Sequence, residues 1–162
     1  MPDLFFVIVS FAIHASLALW IGGAVFFTAL AAPRIFGGTP TRTLAGEILG
    51  GMVGAFGRVK LVCIVVLILG ASIRYSQWEA WNAWIAARFT LIGLAGALEL
   101  FATCVIGPRI MKAKGSVREA GLDFDGDASD PRRRRFRRLH GLVMALQSLA
   151  VLFAIGALVT FS

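Results

Sequence analysis

Glu99 is the residue whose type and place ask most insistently for chemistry. It lies in a run from Ile85 to Ile106 whose one other charge is Arg88. If that run spans a membrane, the carboxylate sits deep in the bilayer. An acid there is costly, faces a protein interior and pairs with something. The rise of about 1.5 Å per residue gives a depth for each candidate partner. Glu99 lies about 22 Å below Trp84 and about 15 Å above Arg109. Arg58 and Lys60 lie about 24 and 21 Å below Arg74, and Gln147 lies about 13 Å above Arg138. These groups fall at one level, and an Arg58–Glu99 pair would resolve two costly charges together. Arg58 and Lys60 are two apart and do not share a helix face. One of them is therefore expected to snorkel to the surface.

The two histidines come next. His14 lies about 15 Å from the start of the first apolar run and approaches the Glu99 level from the other side. His140 opens the last run beside Arg137 and Arg138. Imidazole carries protons or ligates metal or haem. The depths set the two histidines too far apart to share one iron. Asp123, Asp125 and Asp127 imitate the start of a calcium loop, but Ala128 and Arg134 stand where the turn glycine and closing glutamate are needed. Cys63 and Cys104 sit inside apolar runs and read as buried small hydrophobes, not a disulfide or metal pair. No nucleotide-binding loop, hydrolase nucleophile motif or metalloprotease helix is present.

The elements that must position these groups are membrane spans. The chain has 162 residues and is 58% hydrophobic, too apolar for an ordinary soluble domain. Four runs, at about 4–32, 53–72, 85–106 and 139–161, are long enough to cross hydrocarbon as helices. Pro33-Arg34 closes the first and Gly107-Pro108-Arg109 the third. A loop at 112–138 is the one long polar segment. The first run lacks a basic flank before it and is too long for a cleaved signal, so it reads as a retained span. Twelve basic residues, from Arg34 and Arg42 to the Arg132, Arg133, Arg134, Arg135, Arg137 and Arg138 cluster, fall on one side, against Arg74 and Arg88 on the other. The basic side is then cytoplasmic, with both termini outside. The net charge of +7 thus reflects orientation and headgroup contact by the arginine cluster, not nucleic acid. Tyr75, Trp78, Trp81 and Trp84 form an interfacial belt on the other side. Gly46, Gly50 and Gly54, with Gly22 and Gly23 in the first run, have the small-residue spacing that lets helices approach. Packing within the bundle is the expected use; homodimerisation through the Gly46 face is the alternative. The stripe also implies that the second helix starts near Thr41.

Two blocks carry a resemblance. His14, Trp20-Ile21-Gly22-Gly23, Phe26-Phe27 and Ala32-Pro33-Arg34-Ile35-Phe36 form one; Arg138-Leu139-His140-Gly141-Leu142 forms the other. Together they resemble a four-span family of bacterial inner-membrane proteins that includes the eukaryotic transmembrane protein linked to platinum-drug resistance. That resemblance implies a four-helix membrane domain over the whole chain. The first block also resembles, more faintly, the copper-resistance protein D family and the HemJ-type protoporphyrinogen oxidases. The latter likeness implies haem b with His14 as a ligand.

The expectation is one all-α four-helix transmembrane bundle over residues 1–162, N-out and C-out, in a bacterial inner membrane. Its function is expected to be non-enzymatic. An intramembrane polar site of Glu99, Arg58, Lys60, Gln147 and His14 would bind or pass a small cation, metal or polar solute, or support a membrane complex. The alternatives are a haem-binding oxidoreductase, with His14 or His140 as ligand, and an accessory subunit or homo-oligomer that packs through the Gly46 face.

Overall fold

A computed structural model describes residues 3–122 and 129–161. They form four long helices: α1 Leu4–Gly38, α2 Arg42–Trp78, α3 Ala83–Glu119 and α4 Pro131–Val159. Each starts where a short polar side chain meets an orphan backbone N–H of the first turn. Asp3 accepts from Phe5, Thr41 from Leu44, Asn82 from Ile85 and Asp130 from Arg132. The helices are joined by short connections, so sequence neighbours run antiparallel. The α1–α2 and α3–α4 pairs pack most extensively, and α2–α3 and α4–α1 close the bundle. One end of the molecule carries Trp78, Trp81 and Trp84, with Phe5 and Phe6 of α1 against Trp78. The other carries the connection from α1 to α2, Arg109 and the arginine-rich start of α4.

Large apolar side chains cover the outside as well as the core. Leu4, Phe11, Val62 and Leu152 are all more than 60% exposed. Water would not tolerate so much apolar surface around four helices of this length; a bilayer explains it. The chain is a small integral membrane protein.

The helices outrun the spans expected from sequence. Pro33 does not close α1, and Pro108 does not close α3. Each proline lies two residues beyond a π-helical stretch, Phe26–Ala31 in α1 and Phe101–Ile106 in α3. At the exit of each stretch the backbone N–H reaches five residues back, Ala32 to Phe27 and Gly107 to Ala102. The wider turn moves the carbonyl that a proline ring would strike, so the helix continues. The expected 112–138 loop is accordingly short: α3 runs to Glu119 and α4 begins at Pro131. Asp123, Asp125, Asp127 and Ala128 lie outside the described residues.

These two stretches are copies of one motif. Phe26-x-Thr28, then Pro33-Arg34-Ile35, recurs as Phe101-x-Thr103, then Pro108-Arg109-Ile110, at a constant offset. With α1 and α3 parallel, and each followed by an antiparallel partner, the bundle is two helical hairpins side by side. Parallel repeats of this kind relate to each other about an axis along the membrane normal.

Glycines make the close seams, though not those expected. A Cβ on Gly23 would overlap the Phe56 ring, one on Gly70 would strike Ile13, and one on Gly96 would sit 3.3 Å from Ile64. Gly156 lies against Leu91, and the fully buried α4 residues are Ala150, Ala154 and Ala157. Small residues there bring α4 close to α3. Gly46, Gly50, Gly54 and Gly22 instead meet nothing within 4 Å of where a Cβ would be. The intramolecular packing expected of them is not how this fold uses them: among the described residues no atom sits against the Gly46–Gly54 stripe of α2 where a Cβ would be.

Candidate functional site

The Gly96–Ile64 contact sets the α2–α3 seam, and one turn further along it the two helices exchange charge. Lys60 Nζ lies 2.5 Å from Glu99 Oε1. Lys60 is 5% and Glu99 1% exposed, so both charges are sealed inside the bundle. Thr103, one turn beyond Glu99, donates its hydroxyl to the same Oε1 at 3.3 Å. The ammonium also lies 5.7 Å from the Phe56 ring centroid, and Phe27 packs against that ring. Phe56 can occupy this place because Gly23 has no side chain.

The pair is not fully satisfied. Glu99 Oε2 is buried and has no hydrogen-bond partner. A second buried orphan, the Trp20 indole Nε1, is a donor. Trp20 and Glu99 each lie sixteen residues from the first residue of their helix, and α1 and α3 run in the same direction. An unpaired acceptor and an unpaired donor therefore sit at one depth, about 24 Å from the helix starts. Buried polar groups are seldom left unpaired.

Of the residues expected at the site, the structure brings together Glu99 and Lys60. Arg58 is exposed, on the face of α2 turned away from the pair. Gln147 is half-buried on α4 and makes no hydrogen bond to either charge. His14 is exposed on α1; its Nδ1 donates to the Ser10 carbonyl at 2.7 Å and its ring meets Phe161 edge-on. His140 is exposed at the start of α4, stacked on Phe136. The two histidines lie toward opposite ends of the bundle. Among the described residues no three His, Cys, Asp or Glu side chains cluster as metal ligands. Cys63 is buried as expected, but Cys104 is exposed, on the outer face of the π-helical stretch of α3. Arg132, Arg134, Arg135, Arg137 and Arg138 are exposed on the first turns of α4, with Arg133 half-buried among them.

Sequence reading missed Thr103, Trp20 Nε1 and the Gly23–Phe56 and Gly96–Ile64 contacts. The repeat of the Phe-x-Thr and Pro-Arg-Ile elements was the signal that could have drawn attention to Thr103. A second polar cluster was also missed, at the tryptophan end. Glu79 bridges Arg74 and Arg88, with Arg74 Nε 2.7 Å from Oε1 and Arg88 Nη1 2.5 Å from Oε2.

Fold and site together define a four-helix integral membrane protein with an ion pair sealed between its second and third helices. Residues 15–119 match the family model described as Domain of unknown function (DUF4149), and the chain belongs to that family. The matched stretch contains Lys60, Glu99, Thr103 and both proline-terminated π segments; His14 and His140 fall outside it. No curated protein and no solved structure matches the chain.

Proposed function

We propose that the protein binds or passes a small cation or polar solute at an intramembrane site built on Lys60 and Glu99. One observation carries this reading: a carboxylate 1% exposed keeps one oxygen without a partner. Lys60 neutralises the charge but occupies only Oε1. A small cation or a hydroxyl-bearing solute would be recognised by Oε2. Trp20 Nε1, at the same level, offers a donor to the oxygen of a hydroxyl-bearing guest. Acids held in this way within membrane bundles commonly line ion, proton or solute routes. The excess of arginines at one end supports a cytoplasmic placement of that end, N-out and C-out, in a bacterial inner membrane. The HemJ-type likeness gains no support from the exposed His14.

The test is flux in proteoliposomes for protons, Na⁺ and K⁺. Sidedness would be fixed by labelling an Ala80→Cys variant with an impermeant maleimide, which is expected to react from outside intact cells. Flux is expected to vanish in Glu99→Gln and in the charge-matched Lys60→Met/Glu99→Met variant. Wild-type protein no more permeable than empty vesicles, or a folded double variant with full flux, would defeat the reading.

A second reading has its own observation. The uncovered Gly46–Gly50–Gly54 face favours a chain that packs on another helix, either a second copy or a subunit of a larger membrane complex.

A further inference from the structure

We propose a second site, at the tryptophan end, that binds a small anion of the carboxylate or phosphate class. A cavity of about 420 Å³ opens there, and Arg74, Glu79, Asn82, Trp84, Arg88 and Thr160 are among its lining residues. That volume lies within the range of small-molecule sites. Arg88 lies eleven residues before Glu99, about 16 Å along the same helix, so this cavity is separate from the Lys60–Glu99 pair.

Three features of the cavity point to an anion. First, among the described residues two guanidinium groups share one carboxylate there, that of Glu79. Second, Arg88 is only 3% exposed and three contacts hold it in place. Its Nη1 reaches Glu79 and its Nη2 donates to the Thr160 carbonyl at 2.7 Å. Its guanidinium also stacks 4.3 Å from the Phe161 ring centroid. Its Nε–H, however, is buried without an acceptor. A charged donor left unpaired in that environment is expensive, and an anionic oxygen is the partner it lacks. Third, α3 begins at the cavity wall. Asn82 caps the N–H of Ile85, while the N–H groups at the very start of the helix have no intrahelical acceptor. The helix dipole adds positive potential at the same place.

The arrangement suits an oxyanion more than a cation or a neutral solute. Arg88 is already immobilised by Glu79, Thr160 and Phe161, so binding need not order it. Arg74, fixed by Glu79 and by the Phe161 carbonyl at 3.3 Å, places a second positive charge on the cavity wall. Carboxylates and phosphates share the planar or tetrahedral oxygen geometry that guanidinium groups recognise.

The test uses the full chain in lipid nanodiscs, titrated with acetate and separately with inorganic phosphate by isothermal calorimetry. Saturable binding of at least one is expected, and the one that binds names the class. Arg88→Gln should abolish it. Because that variant removes several contacts and can fail to fold, a second pair decides independently. Ala80 is exposed on the cavity lining. Ala80→Glu should bind at least tenfold more weakly than the isosteric Ala80→Gln, because it adds a negative charge. The proposal is overturned if neither anion binds up to about 10 mM, well above a dissociation constant of about 1 mM. Equal affinities in the two Ala80 variants would also overturn it.

Discussion

At the scale of single residues, the question is whether the Lys60–Glu99 pair holds the fold or serves a guest. A buried ion pair gives little net stability, because desolvation offsets the attraction; removing one partner strands a charge. Lys60→Met or Glu99→Met alone should therefore lower unfolding stability by about 3–5 kcal/mol. The double variant should return to near wild type, and thermal unfolding in detergent measures all three. A double variant as unstable as the singles would show that the pair's polar contacts, Thr103 included, hold the seam. Glu99 was legible in the sequence because an acid in an apolar run is conspicuous. The choice of Lys60 over Arg58 was not. Both lie at the right depth, and which faces α3 depends on the rotation of α2, fixed by contacts such as Gly96–Ile64 that sequence spacing does not reveal. Trp20 was legible as a motif residue but not as an orphan donor, since that depends on what surrounds the indole.

Among the helices, apolar runs revealed four elements and their order, and the Gly46–Gly54 spacing placed the start of α2 close to Arg42. The ends of α1 and α3 were misread because Pro-Arg after an apolar run is ordinarily a stop. Here each proline follows a π-helical stretch that makes room for its ring, so the helix passes from the apolar region into the arginine end unbroken. The recurrence of the motif in α1 and α3 argues that the π geometry is encoded locally. Pro108→Ala should then let residues 101–106 relax toward regular α-helix, rotating the 107–119 segment relative to α4. Spin labels at Lys112 and Arg135, both exposed, would report this as a shifted or broadened distance distribution by pulsed electron resonance. An unchanged distribution would mean that packing against α4, not the proline, sets the wider turn. Thr103 belongs to the same stretch and donates to Glu99, so a change there would also reach the buried pair.

For the molecule as a whole, the bundle closes its own seams with Gly23, Gly70, Gly96, Gly156 and the α4 alanines, yet leaves Gly46, Gly50 and Gly54 uncovered. Glycine in a helix interior is unfavourable by about 1 kcal/mol relative to alanine, and three at one spacing on an uncovered face bring the lone chain no packing in return. A partner helix seated there would offset that cost through close backbone approach. Gly50→Leu separates the two situations cleanly, because the space beside Gly50 is open within the chain and leucine is the better helix former. The isolated bundle should keep or gain thermal stability. If a second copy or another subunit uses the face, light scattering after mild-detergent purification should show wild type heavier than one chain and Gly50→Leu reduced to it. Wild type and variant both running as single chains would remove the second reading. The Lys60–Glu99 site, enclosed within one chain, would then have to act alone.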